Sequence, residues 1–323
     1  MIAATIRQSR IIAFSIAAVA AIGAPIVLAN GVISERPAGG LVFTKSETIG
    51  IASEDLFLSI KEVRVAYVYN SLATKVQNVT ISFPMPEMPV DGGPDSEVFN
   101  RIDGKDARNY MDFAVKVDGK PVAARMREVA WLRGQDVTAR LTAAGLPLLY
   151  VKNGEEALAR LPQTLKDELA QEGMFVKSQG DTVSYSPEWT YQVVFEWEQS
   201  FAPGNTKVDI RYKPILGDSA DYGDYFERGD GVARYCIDDS FRSALRRRRG
   251  SLEPLRLGYV LKTARFWRGP IGRFRLVVDK EKATNLVAFC PLNSKKISDT
   301  AFEWTATNFL PERDIEVVFF AGN

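Results

Sequence analysis

Histidine is absent from all 323 residues, and cysteine occurs only twice. Without an imidazole there is no Ser-His-Asp or Cys-His nucleophile pair, no His-ligated zinc and no ordinary neutral-pH switch. A surplus of one charge is missing as well. The 41 Lys and Arg residues face 40 Asp and Glu, a net +1, which argues against a dedicated nucleic-acid binder. Beyond residue 29 no apolar run is long enough for a membrane helix. Gly-x-Ser-x-Gly, Ser-x-x-Lys, Walker A and Gly-x-Gly-x-x-Gly motifs are all lacking. What remains is carboxylate or lysine chemistry, oxygen-ligand metals, or binding alone, and no cofactor is indicated.

The first 29 residues read as an export signal. Arg7 and Arg10 precede the apolar stretch Ile11 to Ala21, Gly23 and Pro25 break its helix, and Val27-Leu28-Ala29 offers a small-residue cleavage site. Cleavage after Ala29 is expected, placing the protein in the periplasm or outside the cell; an uncleaved anchor is the rival reading, because 11–29 is nearly long enough to span a bilayer. No stable span is expected in the mature chain. An oxidising compartment favours a bridge between Cys236 and Cys290 over two free thiols. Its loop would contribute about 4 kcal/mol in the chain-entropy account.

Period-two alternation dominates the rest. Val63, Val65, Tyr67 and Tyr69 share one parity, while Leu56, Leu58 and Ile60 take the other, which predicts a turn or bulge near Lys61-Glu62. Val79, Ile81 and Phe83 form a strand that Pro84 and Pro86 stop. Asp118-Gly119 signals a hairpin after Val115 and Val117. From Gln135 to about Gly173 the period turns helical, with Leu158, Leu161, Leu165 and Leu169 on one face and Pro162 kinking or dividing the run. Trp189, Tyr191, Val193, Phe195, Trp197 and Phe201 then alternate against Thr190, Gln192, Glu196 and Glu198. A short helix over 237–249 and strands near 256–262, 272–279, 285–290, 300–306 and 314–320 complete the pattern. The expectation is a mainly β, sandwich-type protein of antiparallel sheets. Residues 30–217 form the first part, with a helical insert at about 127–180; 218–323 form a smaller β-rich part, or continue the same body.

Few residues carry chemistry. Asp218, Asp221, Asp224, Glu227 and Asp230 recur every three residues throughout, unlike the ligand ladder of a calcium loop, and read as solvated. Glu54-Asp55 and Asp238-Asp239 are adjacent acids, but neighbours on an extended chain face opposite ways, so neither pair makes a hydrolytic site alone. Asp238 or Asp239 is better placed to cap the following helix, and Glu54-Asp55 to organise a strand entry. Arg246, Arg247, Arg248 and Arg249 are the one local charge excess, suited to a helix C-terminus or to an anionic surface. Trp267, between Arg265 and Arg268, fits a core or a rim position equally. These five form the candidate binding surface.

Gly39-Gly40-Leu41-Val42-Phe43-Thr44-Lys45, Ser53 to Ser59 and Phe83-Pro84-Met85-Pro86 resemble the opening of a bacterial secreted family, catalogued as domain of unknown function 4424. Phe201-Ala202-Pro203-Gly204, Tyr235-Cys236-Ile237-Asp238, Trp267-Arg268-Gly269-Pro270-Ile271-Gly272 and Phe309-Leu310-Pro311 are similar to its later parts. The resemblance implies a Gram-negative exported protein and brings no activity, cofactor or catalytic residue. The functional expectation is therefore a non-enzymatic envelope protein binding a partner protein or an anionic surface polymer. The alternative is a histidine-free carboxylate hydrolase acting on envelope glycans.

Overall fold

In a computed structural model the described residues are 32–35, 42–90, 109–151, 153–179, 183–217, 224–248, 252–290 and 293–322. The expected signal segment with Ala29, the acids Asp218 and Asp221, and Arg249 lie outside them. β1 (Val32–Glu35) and β2 (Val42–Thr44) pair with each other. β3 (Ile49–Ser59) and β4 (Val63–Ser71) make the hairpin expected at Lys61-Glu62, where the Ser59 hydroxyl accepts from the amides of both turn residues. β5 (Gln77–Pro84) ends at its proline, which cannot donate to a ladder, and β6 (Met88–Pro89) follows. β7 (Ala114–Val117) and β8 (Lys120–Val122) close over Asp118-Gly119, whose φ values of 48° and 79° are those this tight turn demands.

β9 (Arg125–Leu132) and β10 (Gln135–Asp136) precede helices α1 (Thr138–Ala143), α2 (Gly154–Ala159) and α3 (Gln163–Gln171). Pro162 is the N-cap of α3, so it divides two helices and kinks neither. The insert is shorter than the 127–180 expected from sequence. β9 and β11 (Phe175–Gln179) at its ends are strands, the latter in a hairpin with β12 (Val183–Pro187). β13 (Thr190–Phe201) and β14 (Gly204–Tyr212) come next. After them come α4 (Asp224–Glu227), α5 (Asp230–Arg234) and α6 (Asp239–Arg247). β15 (Glu253–Tyr259), a 3-10 turn at Lys262–Phe266, β16 (Ile271–Asp279) and β17 (Leu286–Phe289) then lead to β18 (Lys295–Lys296), β19 (Ala301–Phe309) and β20 (Ile315–Ala321). The protein is mainly β, as the alternation predicts.

Two large sheets carry the fold. One runs β10-β9-β13-β5-β1-β2, with β6 also on β13; the other runs β18-β19-β16-β3-β4-β14-β7-β8. Their inner faces interlock through aromatic pairs such as Phe113–Phe195 at 4.0 Å and Tyr69–Phe201 at 5.4 Å between ring centroids. A third sheet, β15-β20-β17, is buried on both sides. Val317 and Phe319 join the main core, while Val318 and Phe320 pack under α4–α6 with Phe226, Tyr235 and Leu245. The division expected near Gly217 is not a boundary between sheets: β16 inserts beside β3, in parallel register, and β19 follows it. β13 also departs from simple alternation. Gln192, Val194 and Glu196 on its outer parity are buried too, because Trp131, Arg125 and Arg127 lie over that face. Among the described residues no helix is long and apolar enough to cross a membrane.

Candidate functional site

The residues singled out in the sequence do not converge. Arg246 pairs with Glu227 at 3.1 Å, Arg247 is exposed, and Arg248 donates to the Thr284 carbonyl. Trp267 is 1% exposed, with its ring 4.7 Å from Tyr69 and 6.0 Å from Phe201. It is therefore a core residue and no part of a binding surface. Asp238 caps α6 by accepting from the Phe241 amide at 2.7 Å, and Asp239 pairs with Arg242. Asp55 points outward to Arg273 and Arg275. Glu54 is fully buried, mid-strand, which corrects the reading of this pair as a strand entry. Among the described residues no three metal-ligating side chains come together. Cys236 and Cys290 form the expected disulfide, with Cα atoms 5.3 Å apart.

That disulfide borders what sequence reading missed. A cleft of about 870 Å3 opens where the Met85–Pro89 segment faces β15 and β20, within the size range of small-molecule sites. Backbone bonds between Gly217 and Arg256, 2.9 and 2.7 Å, pin the facing chain to β15. The apolar part of the lining includes Met85, Met88, Met111, Leu149 and Leu216. Methionine suits such a surface, since its unbranched thioether adapts to irregular shapes.

Arg234, Arg256, Lys262 and Arg313 line the cleft with Glu87, Asp314 and Glu316. Arg234 pairs with Glu316 at 2.8 Å. Asp314 accepts from the amides of Leu261 and Lys262 at 2.9 and 3.0 Å and pairs with the Lys262 ammonium at 3.3 Å. Glu87, bonded to the Thr190 hydroxyl, has its pKa raised by partial burial. The balance is cationic. Tyr235 also lines the cleft; its hydroxyl is buried without a hydrogen-bond partner, and burial pushes its pKa up to about 12.

Behind the cleft wall lies a buried polar chain. Tyr259, a lining residue, donates to Glu54 Oε1 at 3.1 Å and meets the Tyr67 hydroxyl at 2.9 Å. Burial, aided by the neighbouring charge of Asp55, pushes the Glu54 carboxyl up to about 8 against its tyrosine hydrogen bonds. The only sequence signals for this region were Phe83-Pro84-Met85-Pro86 and Tyr235-Cys236. The cationic residues come from distant segments that only the fold assembles.

The family model of a domain of unknown function, DUF4424, matches residues 29–318. Curated proteins yield no match. A crystal structure from Legionella pneumophila, described as a "putative nutrient binding protein", shares 16% identity. The similarity covers 90% of this chain and 70% of that one, with a TM-score of 0.44.

Proposed function

The chain belongs to the DUF4424 family, and because that family brings no activity with it we propose a function from the cleft: an exported, non-enzymatic binding protein that takes an anionic ligand beside β15 and β20. The carrying observation is that four cations, Arg234, Arg256, Lys262 and Arg313, stand against three acids among the lining residues, beside apolar side chains. Charged groups beside low-dielectric walls focus attraction for an opposite charge. Export is supported by the residues of the N-terminal segment, and an oxidising compartment by the disulfide. The site lies apart from the arginine run, whose Arg246 is engaged by Glu227. A glycan hydrolase draws no support from the four acids weighed for it. Glu54 faces the core, Asp55 the opposite side, and Asp238 and Asp239 the start of α6.

Native mass spectrometry of the exported protein, followed by titration with anionic and matched neutral compounds, tests this reading. An anionic adduct is expected, with affinity that falls as salt rises and drops at least tenfold in Arg256→Glu. Equal affinity for neutral compounds, or no effect of Arg256→Glu and Arg313→Glu combined, overturns it.

A further inference from the structure

A second cavity adjoins the first. It measures about 890 Å3 and is lined by Met126, Leu146, Pro147, Leu148 and Ala157, with the loop after α1 as part of its wall. Tyr110 and Leu149 line both cavities, so the two share a wall. The Trp189 indole donates to the Leu148 carbonyl at 2.8 Å and fixes that loop against the sheet. Charged groups in the second cavity are partnered: Glu128 accepts from the Tyr191 hydroxyl at 2.6 Å, and Arg160 pairs with Glu156 at 3.4 Å. Its remaining walls are mostly apolar.

Resting on the proposed anionic-ligand reading, we infer that the ligand is a single-chain amphiphile. Its anionic head lies among Arg234, Arg256 and Arg313, and its apolar chain passes Tyr110 and Leu149 to lie beneath the helical insert. Two features converge on that class. Four of the five cationic groups line the first cavity, and the fifth, Arg160 in the second, is engaged by Glu156, so charge is recognised chiefly at one end. Methionines line both cavities and can follow a flexible chain. An extended peptide fits less well. Each of its residues would bring an amide pair to be satisfied, and the Leu146–Leu149 wall is apolar.

Tryptophan fluorescence of the full exported chain reads this directly, with stearate, 9,10-dibromostearate, lysophosphatidate, octadecanol and butyrate as probes. Bromine quenches at short range, and Trp189 lies behind the second cavity. Stearate or lysophosphatidate should bind at least tenfold more tightly than octadecanol or butyrate; whichever head binds tighter identifies a carboxylate or a phosphate source. Dibromostearate should quench, and Trp189→Phe should remove most of that quenching. Ala157→Trp, at a residue that lines the second cavity and not the first, should weaken stearate at least tenfold while leaving butyrate unchanged. If its melting curve shows a damaged fold, Arg313→Glu at an exposed position provides the second check, with the same expected loss for both long-chain anions. Anions that bind with no gain from chain length overturn the amphiphile and leave the anionic-ligand reading standing. If none of the anions binds, both fall. Octadecanol binding as well as stearate overturns the head-group assignment and with it the inference.

Discussion

Glu54 owes its place to one extra residue in β3. The register against β4 slips between Ile51 and Ser53, so buried positions change from odd, at Ile49 and Ile51, to even, at Glu54, Leu56 and Leu58. A carboxyl is thereby turned into the core, facing Tyr67, Tyr69 and Tyr259, with Asp55 as the nearest negative charge. Its pKa rises from 4.5 to about 8, so the folded state keeps the proton while the unfolded chain releases it. The stability it contributes is complete below pH 4.5. It is lost as pH rises from there through 8, by up to about 1.4 kcal/mol per pH unit. Glu54→Gln keeps an acceptor for Tyr259 and removes the titration. Thermal melts of the two proteins should coincide near pH 4.5 and diverge toward pH 8, where the variant melts several degrees higher. Parallel pH profiles would show that Glu54 ionises without cost.

At the scale of elements, legibility followed local chemistry. Alternation located β4, β5, β13 and β14, Asp118-Gly119 gave the hairpin, and Asp238 gave the α6 cap, because each depends on neighbours in sequence. The bulge in β3 did not show itself, since its cause is distant. A Cβ on Gly272 would stand 2.6 Å from the Ala52 carbonyl oxygen, and one on Gly50 equally close to that of Arg268. The buried outer face of β13 likewise depends on Trp131 and two arginines from β9. The cleft was the least legible feature, its cations being spread from Arg234 to Arg313. The disulfide lies between these cases: compartment and an even count predicted it, while only the fold shows what it ties. It joins the chain just after α5 to the end of β17, holding α4–α6 on the outer face of the third sheet. Replacing both cysteines by serine should lower unfolding free energy by about 4 kcal/mol. Reductant should do the same to the natural chain and nothing to the variant, as chemical denaturation will show.

Over the whole molecule, the question is whether the parts on either side of Gly217 stand alone. The sheet arrangement says they do not. β16 and β19 extend the sheet that β3 and β4 begin, and the Tyr67–Tyr259 hydroxyl contact joins β4 to the third sheet. Trp267 closes the same core against Tyr69 and Phe201. Residues 30–217 alone would bare the β3 edge and these inward aromatic faces, a surface that invites aggregation. Residues 218–323 alone would lose the strand beside β16 and the core under Val317 and Phe319. The intact chain is therefore expected to unfold in one calorimetric transition, with calorimetric and van't Hoff enthalpies equal. The 30–217 piece should be insoluble or lack near-ultraviolet circular dichroism, and recover it only when 218–323 is co-expressed. Two resolved transitions, or a soluble 30–217 piece with native aromatic dichroism, would mean that the shared sheet is a contact between independent domains. The cleft spans that junction, lined by Met85 and Met111 from one side and Arg256 and Glu316 from the other. A single transition therefore also requires that ligand binding raise the melting temperature of the whole chain rather than of one part.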